Sequence, residues 1–193
     1  MSPQNENVRV RRTRKLLREA LIDLIEERGF DRVTVGEICE RALVSRAAFY
    51  RNYRDKYQLV EQIFDEAMEA LLGTVDDKTP AARRWAAFFG HIDDYHRLYG
   101  TLLGRKGSPW FADRMRATLA AMAADHLPAG DASPAAGLVP TVLGAMFTQS
   151  ITWWLESGRP TTPAEMAATS ARLAGAVIRE AQAGGGDATR AAQ

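Results

Sequence analysis

A short segment near the amino terminus, S-R-A-A-F-Y-R-N, carries residue types that read nucleic acid. If this segment is helical, Phe49 and Tyr53 lie one turn apart and point inward. The outward face then consists of Arg46, Ala47, Tyr50 and Arg51. Arginine can pair with two acceptors of guanine, a small side chain lets the helix approach the base edges, and tyrosine hydroxyls bind phosphates. The segment therefore predicts a DNA-contacting face, and the alternative is a helical hairpin that serves only as a packing unit.

The residues just before this face predict a second helix that would hold it in place. Thr34 is a candidate N-cap, and Glu37 three residues later completes the capping-box pattern. The apolar stripe of this helix is formed by Val35, Ile38, Cys39 and Ala42. Ser45 would cap the next helix, and because Ala48 stands where a capping box needs Glu or Gln, the Ser45 hydroxyl is expected to be spared for an outside partner. The two helices and the turn at residues 42–44 together predict a helix-turn-helix.

Helices are predicted on both sides of this motif. The preceding helix has an inner face of Leu17, Ala20, Leu21, Leu24 and Ile25. It ends at Gly29, which can supply a left-handed turn. After the motif, Asp55 and Gln58 form another cap pair and begin a helix that runs to about Leu72. Lys56 lies in the first turn of that helix, where a cation opposes the helix dipole, so a phosphate beside it would remove the conflict.

The run T-V-x-E-I-x-E-R-A-x-V-S-R-x-x-F-Y at residues 34–50, followed by Asp55-Lys56 and Leu59, resembles the DNA-binding domain of the TetR family of transcriptional regulators. One departure is Leu43, because the family often has glycine in this turn. The resemblance implies that Lys56 contacts the DNA backbone. The residues expected to contact DNA are Thr34, Ser45, Arg46, Ala47, Ala48, Tyr50, Arg51, Asn52 and Lys56.

The resemblance also implies a function for the whole chain. A TetR-like protein would bind a pseudo-palindromic operator as a homodimer, act as a repressor, and be released by a small-molecule effector. The aromatic residues of the carboxy-terminal part suggest that this effector is small and apolar or aromatic. The segments HIDDYHRLYGTLL and TWWLESG are similar to a subgroup whose effectors are mostly undefined. The alternatives are a helical-bundle small-molecule-binding protein or enzyme without a DNA-binding role, and a helical adaptor that binds only protein. No GxxxxGK[ST], GxGxxG or HExxH motif supports an enzyme.

Period-2 alternation is absent, so the sequence predicts an all-α fold of about nine helices. The expected domains are residues 1–56 for DNA binding, with a disordered basic arm at 1–8, and residues 57–183 for ligand binding and dimerisation, with a linking helix at 57–72. Residues 184–193 are expected to form a flexible tail. The first 60 residues contain 13 Lys or Arg and 9 Asp or Glu, and the rest of the chain has a net charge of −3. The basic end is therefore the one expected to meet nucleic acid.

Two residue sets in the carboxy-terminal part suggest separate roles. Aromatic and sulfur side chains could line an effector pocket, although ordinary core filling explains such residues equally well. This pocket set is Trp85, Phe88, Phe89, Tyr95, Tyr99, Trp110, Met115 and Phe147. Small residues on the last two long helices would allow close packing against a second chain. The dimer set is Thr141, Ala145, Thr148, Thr152, Met166, Ser170, Leu173 and Val177. Trp153 and Trp154 project about 100° apart, so one can be core while the other faces outward.

Composition narrows the remaining possibilities. The single cysteine, Cys39, excludes an internal disulfide and is expected to be an inert core thiol. The three histidines are not spaced as metal ligands, so no metal and no cofactor are expected. The amino terminus has no signal peptide, and a cytoplasmic location is expected. Residues 132–155 contain no charge, but their prolines and hydroxyl residues favour a buried helix over a membrane span.

Overall fold

The computed structural model describes residues 3–72, 81–105, 107–125 and 135–191. These residues form helices and connecting turns without a β-strand, which confirms the all-α prediction and its count of about nine helices. The elements are α1 (Pro3–Arg28), a 3₁₀ turn (Phe30–Arg32), α2 (Val35–Arg41), α3 (Arg46–Tyr50), α4 (Lys56–Leu72), α5 (Ala81–Asp94), α6 (His96–Leu103), α7 (Pro109–Asp125), α8 (Ala135–Glu156) and α9 (Pro163–Ala191).

The helices divide into two compact units. The first contains α1, the 3₁₀ turn, α2, α3, α4 and α6; the second contains α5, α7, α8 and α9. The predicted boundary after residue 56 therefore differs from the structure, which places α4 and α6 with the amino-terminal helices. Ion pairs across the first unit explain the difference. Arg18 of α1 pairs with Glu66 of α4 at 3.1 Å, and Arg97 of α6 pairs with Asp23 and Glu26 of α1 at 2.9 Å each.

Both ends of the described chain are more helical than the sequence suggested. Residues 3–8, which the sequence assigns to a disordered arm, are described as part of α1, which begins at Pro3. Proline suits the first helical position, and no proline follows it within α1. Residues 184–191, which the sequence assigns to a flexible tail, are likewise described as helical, because α9 continues to Ala191. After Pro163 no proline interrupts its hydrogen-bond ladder, and three consecutive glycines weaken a helix without breaking it.

The first unit has a continuous apolar core beneath the helix-turn-helix. Side chains of α1, α2, α3 and α4 meet there with almost no exposure to solvent. The core includes Leu17, Leu21, Leu24, Ile25, Phe30, Ile38, Phe49, Tyr53, Leu59, Val60 and Ile63. Cys39 is also buried, and burial raises the pKa of its thiol, as expected for an inert core cysteine. The short helices α2 and α3 thus depend on tertiary packing more than on their own propensity.

Hydrogen bonds stabilise the second unit at the turn between α8 and α9. Gly158 and Arg159 both have positive φ, 75° and 59°, and reverse the chain after α8. Arg159 donates to Asp93 of α5 at 2.5 Å. The indole of the fully buried Trp154 donates to the Thr161 carbonyl at 3.0 Å. Thr162 then begins α9 with the capping bond that the sequence predicted.

Candidate nucleic-acid interface

The capping box at the start of α2 fixes the first half of the motif. Glu37 N donates to Thr34 Oγ1 at 3.3 Å, while Thr34 N donates to Glu37 Oε2 at 2.9 Å. The Thr34 hydroxyl donates to the same carboxylate at 2.8 Å. Arg28 of α1 adds a 2.5 Å bond to Glu37, and these bonds, first that from the Thr34 backbone, hold the pKa of Glu37 below its ordinary value. Thr34 is therefore engaged within the protein, and the hydroxyl expected to meet DNA already has a partner.

The turn between α2 and α3 has the hydrogen bonds of a Schellman motif. Val44 N donates to Cys39 O at 3.0 Å, and Leu43 N donates to Glu40 O at 3.2 Å. Leu43 takes the left-handed position at φ 54°, which is usually glycine. Its side chain is 94% exposed. The departure seen in the sequence thus changes the residue at this position and leaves the turn geometry intact.

The cap of α3 differs from the expectation for Ser45. Ser45 Oγ accepts a hydrogen bond from Ala48 N at 3.2 Å, so the oxygen is part of the cap. The prediction that this hydroxyl is spared is wrong for its acceptor role, because an N-cap serine satisfies a free helix N–H with or without a reciprocal glutamate. The hydroxyl hydrogen can still be donated to an outside acceptor. Asn52 is also engaged, since its side-chain amide donates to Ala48 O at 2.8 Å.

The exposed side of α3 has the composition that the sequence predicted. Phe49 and Tyr53 are 0% and 2% exposed, whereas Tyr50 is 58% exposed. Arg46, Ala47 and Arg51 are exposed with it. The Tyr50 ring packs edge-on against Phe49 at 5.5 Å between centroids, which anchors its base while the hydroxyl end faces solvent. Two guanidinium groups, one small residue and one phenol thus share a surface over a rigid apolar core.

Arg46 lies against α2 because residue 36 is glycine. A Cβ built on Gly36 would stand 2.6 Å from Arg46 Nη2, which is closer than any normal contact. The guanidinium therefore occupies the space that a side chain at position 36 would fill. This contact was not foreseen from the sequence, although a glycine at the second position of a short helix is a usable signal of close approach.

Lys56, at the start of α4, faces the 3₁₀ turn. Its ammonium donates to the carbonyls of Phe30 at 2.7 Å, Asp31 at 3.2 Å and Val33 at 2.9 Å. It also lies 4.5 Å from the centroid of the Phe30 ring. Burial lowers the pKa of Lys56. In this DNA-free structure all three N–H bonds are directed at protein carbonyls, and the phosphate contact expected of Lys56 stays a prediction.

The aromatic set expected to line a pocket is largely core. Phe88, Phe89, Tyr99, Met115 and Phe147 are buried, and only Trp85, Tyr95 and Trp110 are half-buried. Trp85 stacks on Phe147 with centroids 4.3 Å apart and packs edge-on against Phe88. Tyr95 and Tyr99 belong to the first unit and the other six to the second. The core-filling alternative therefore describes the buried members, which pack in two separate units.

The residues expected at a dimer interface divide by burial. Thr148, Met166 and Ser170 are buried within the single chain at 4%, 6% and 0% exposure, so the expectation that they meet a second chain is wrong. The period of 3.6 placed them correctly on one face, but that face packs against this chain's own helices. Thr141 and Ala145 are exposed, Leu173 is 50% exposed, and Thr152 and Val177 are half-buried. Trp153 is 51% exposed while Trp154 is core, as their angular separation predicted.

Among the described residues, no group of three or more His, Cys, Asp or Glu side chains is placed to hold a metal ion. None of the described helices is both long enough and apolar enough to cross a membrane.

The geometry of the first unit defines a helix-turn-helix protein, and comparison with known proteins agrees. Residues 17–63 match the sequence profile of the bacterial regulatory proteins of the tetR family. Two Bacillus subtilis proteins named as uncharacterised HTH-type transcriptional regulators are similar to this chain. YxbF is 31% identical over 80 residues, which cover 42% of this chain and 18% of YxbF. YdeS is 35% identical over 96 residues, which cover 50% of this chain and 45% of YdeS. The Escherichia coli transposon Tn10 TetC protein is 31% identical over 75 residues, which cover 37% of this chain and 38% of TetC.

Solved structures extend the likeness in fold to most of the chain. A TetR transcriptional regulator from Streptococcus agalactiae superposes with a TM-score of 0.63 at 19% identity, covering 90% of this chain and 99% of that one. The dihydroxyacetone kinase operon activator DhaS superposes with a TM-score of 0.59 at 14% identity, covering 86% of this chain and 96% of that one. The chain spans less than half the length of the curated relatives it matches.

Residues 17–63 of this chain are therefore a TetR-type helix-turn-helix domain. The family and the two Bacillus subtilis relatives carry the names of transcriptional regulators, not of enzymes.

Proposed function

We propose that this protein is a sequence-specific DNA-binding repressor that binds a pseudo-palindromic operator as a homodimer and is released by a small-molecule effector. The observation that carries the proposal is the exposed face of α3, where Arg46, Tyr50 and Arg51 surround Ala47 within a TetR-type motif. A helix of five residues can reach only a few base pairs, so two copies are needed for a selective site.

The residues of this face are expected to make different DNA contacts, according to the chemistry of their side chains. Arg46 stands at the first position of α3, and the start of a recognition helix is the part that usually meets base edges. A guanidinium there pairs with guanine O6 and N7. Tyr50 and Arg51, one turn later, are placed for phosphates, and so is the Ser45 hydroxyl hydrogen. Ala47 adds no bulk, which lets the helix axis approach the groove.

A selection from a random duplex library tests DNA binding and the role of Arg46 together. Wild-type protein is expected to enrich duplexes with two related half-sites, with an affinity that falls as salt rises. Arg46→Ala should lose its preference at one base pair per half-site, a loss of about 1–3 kcal/mol. Arg172→Ala, which removes an exposed arginine of α9, is the control and should select the wild-type site. An unchanged preference in Arg46→Ala would exclude the base-reading role.

Exposed apolar residues on α8 support the homodimer. Leu138, Val142 and Trp153 are 60%, 39% and 51% exposed and lie on one stripe, since spacings of four and eleven residues bring side chains to nearly the same side of a helix. Ala145 continues the stripe, and Leu173 of α9 is also exposed. Several large exposed apolar side chains on one side of a helix are typical of a protein interface. We therefore assign the partner chain to this face, in place of Thr148, Met166 and Ser170.

Trp85 is the best-supported contact for an effector. It is half-buried and stacked on Phe147, so an aromatic ligand could replace or extend this stack with little loss of packing. Effectors can be screened by their release of a labelled operator duplex, and a true effector should lose potency in Trp85→Ala. Expression of a reporter placed behind the operator should rise when the effector is added; a fall would identify an activator.

A further inference from the structure

The amino-terminal part of α1 carries a run of cations that the reading face of α3 does not include. Residues 8–18 contain six Arg or Lys side chains and no Asp or Glu. Three of these cations lie at the start of the run and are exposed to solvent: Arg9, Arg11 and Arg12. These three amino-terminal arginines stand at fixed helical spacing, because α1 is continuous from Pro3 to Arg28.

The amino-terminal arginines lack the acidic partners that neutralise other cations of the first unit. Lys15 pairs with Glu19 at 3.8 Å. Acids also pair with four arginines of this unit: Arg18, Arg28, Arg41 and Arg97. Among the residues whose side chains the structure describes, no acid forms an ion pair with the amino-terminal arginines. Such a group of unneutralised charges attracts an anionic partner from solution.

The neighbours of Tyr53 show where this run lies relative to α3. Burial raises the pKa of Tyr53, and the positive charges of Arg14 and Arg18 act against that rise, so both guanidinium groups lie near its hydroxyl. Arg18 is held there by its 3.1 Å ion pair with Glu66 of α4, and Arg14 Nε is buried. α1 therefore passes beside the carboxyl end of α3, where Arg51 is exposed.

The amino-terminal arginines lie further along the same helix. At 1.5 Å per residue, they precede Arg14 by roughly 3 to 8 Å of helix axis. They thus extend the basic surface of the first unit beyond the end of α3. Because α3 has only five residues, it covers a short segment of any duplex, and the phosphates next to that segment are left for other cations.

A DNA duplex that continues past the half-site fits this surface by its charge. It carries about one negative charge per 1.7 Å of its axis whatever its sequence. A guanidinium group can donate two parallel hydrogen bonds to the oxygens of one phosphate. The phosphate backbone is therefore the anionic partner that continues directly from the proposed contact of α3.

We propose that Arg9, Arg11 and Arg12 bind phosphates of the base pairs that flank each half-site, outside the bases that α3 reads. This inference rests on the proposed DNA-binding function. Contacts of this kind add affinity and salt dependence, but they carry no sequence information. The amino-terminal arginines should consequently affect how tightly the protein binds and leave its preferred half-site unchanged.

Replacing all three arginines with glutamine tests the charge. The combined variant Arg9→Gln, Arg11→Gln and Arg12→Gln keeps good helix formers at exposed positions, so its helix content and melting temperature should match wild type. Its slope of log affinity against log salt should fall by up to about 0.9 for each arginine that binds a phosphate. The matching triple lysine variant should keep most of the slope, because a phosphate also binds an ammonium.

A second triple variant controls for net charge. It carries glutamine at three arginines of the second unit: Arg83, Arg114 and Arg172. This control removes the same number of charges far along the chain from α1, and it should keep the wild-type slope. An equal fall in slope in the control would overturn the inference, because the effect would then come from the total charge of the protein.

Duplex length tests the position of the contacts. Flanks of about five base pairs add roughly 17 Å of duplex on each side, which equals the roughly 17 Å of α1 between Pro3 and Arg14. Wild-type protein should bind the flanked duplex about tenfold more tightly than one trimmed to the selected site, the effect of one charge-assisted contact. The glutamine variant should bind both duplexes equally, and the gain in wild type should not depend on the sequence of the flanks.

The outcomes separate this inference from the proposed function. Equal slopes in wild type and the glutamine variant, with no gain from flanks, would overturn the inference while DNA binding stands. A gain confined to A·T-rich flanks would overturn the assignment to phosphates, because it would indicate reading of the minor groove. A lysine variant that loses as much slope as the glutamine variant would also overturn it. If wild-type protein binds no duplex at low salt, the proposed function fails and this inference fails with it.

Discussion

Leu43 adopts the left-handed conformation that its turn requires, and this conformation lowers the stability of the protein. It has φ 54° in the Schellman turn, and its side chain is 94% exposed, so it contributes little packing in return. A left-handed conformation costs a non-glycine residue roughly 1–2 kcal/mol. Glycine avoids this strain, but it loses about 0.5–1 kcal/mol of unfolded-state entropy on folding.

We therefore expect Leu43→Gly to raise the free energy of unfolding by about 0.5 kcal/mol. Leu43→Ala keeps both the strain and the hydrogen bonds, so it is the matched control and should be less stable than the glycine variant. Guanidinium chloride denaturation followed by circular dichroism measures both. An alanine variant as stable as the glycine variant would show that this φ carries no strain.

Glu37 should make stability depend on acid. Hydrogen bonds from Thr34 lower its folded-state pKa, so its contribution is fully present above the ordinary pKa and is lost as the pH falls through the lowered value. Glu37→Gln keeps an oxygen that can accept from Thr34 N but cannot titrate. The stability difference between wild type and Glu37→Gln should be largest at neutral pH and should shrink below about pH 4.3.

Urea denaturation at several pH values between 3 and 7 measures that difference. Glu165, in the equivalent box of α9, also has a lowered pKa through bonds from Thr162, so Glu165→Gln should behave in the same way. A difference for Glu37→Gln that stays constant with pH would mean that the carboxylate charge contributes nothing to the cap.

Capping residues could be predicted from the sequence because both partners lie three residues apart. The pairs Thr34–Glu37 and Thr162–Glu165 form as expected. Lys56 could not be assigned in this way, since its acceptors are 23 to 26 residues distant and are backbone atoms with no sequence signature. The helix-dipole conflict at Lys56 was visible from the sequence, but the structure resolves it with protein carbonyls where a phosphate was expected.

At the level of helices, α2 and α3 are coupled by the contact between Gly36 and Arg46. Alanine at position 36 should favour the helix by up to about 0.5–1 kcal/mol, yet its methyl group would force Arg46 to move. Gly36→Ala is thus expected to be at least as stable as wild type, with the base preference altered at the pair that Arg46 reads. Stability and DNA recognition should change in opposite directions.

Denaturation and duplex selection test Gly36→Ala together. Gly90→Ala in α5 is the matched control, because a Cβ there meets nothing within 4 Å and should increase helix stability without affecting recognition. An unaltered site preference in Gly36→Ala would mean that Arg46 reads DNA from a position independent of α2.

Helix ends were harder to predict than helix existence. Apolar periodicity runs through Trp85 to Tyr99, but the chain breaks at Tyr95 with φ −110° and ψ 27°, giving α5 and α6. Arg97 just beyond the break pairs with Asp23 and Glu26, and Arg18 lies 4.8 Å from the Tyr95 ring centroid. Such long-range bonds hold α6 with α1, and local periodicity carries no information about them.

At the level of the whole molecule, the sequence predicted an all-α fold and which side chains of α3 are exposed. It could not predict which helices share a core. Tyr95 and Tyr99 were grouped with Trp85 by composition, yet they belong to different compact units. Thr148 and Ser170 were assigned to a dimer surface by size and spacing, and both are buried in their own chain. Small residues allow close packing with any helix, whether from the same chain or another.

The proposed dimerisation would connect the functions of the two units, because the proposed operator needs two reading helices. Val142 lies in the middle of the exposed α8 stripe, between Leu138 and Trp153. Val142→Glu would place a charge in a desolvated interface, where its burial costs several kcal/mol unless it is paired. The variant should therefore sediment as a monomer with unchanged helix content, and it should lose affinity for the two-half-site operator far more than for a single half-site.

The matched control is Ala121→Glu, which adds the same charge at an exposed position of α7. Analytical ultracentrifugation should give this control the wild-type mass. If Val142→Glu remains dimeric, the chains meet on another face and the α8 stripe must have a different partner. If it becomes monomeric yet binds the full operator as tightly as wild type, one copy of α3 suffices for recognition, and the need for paired half-sites inferred from its five-residue length is wrong.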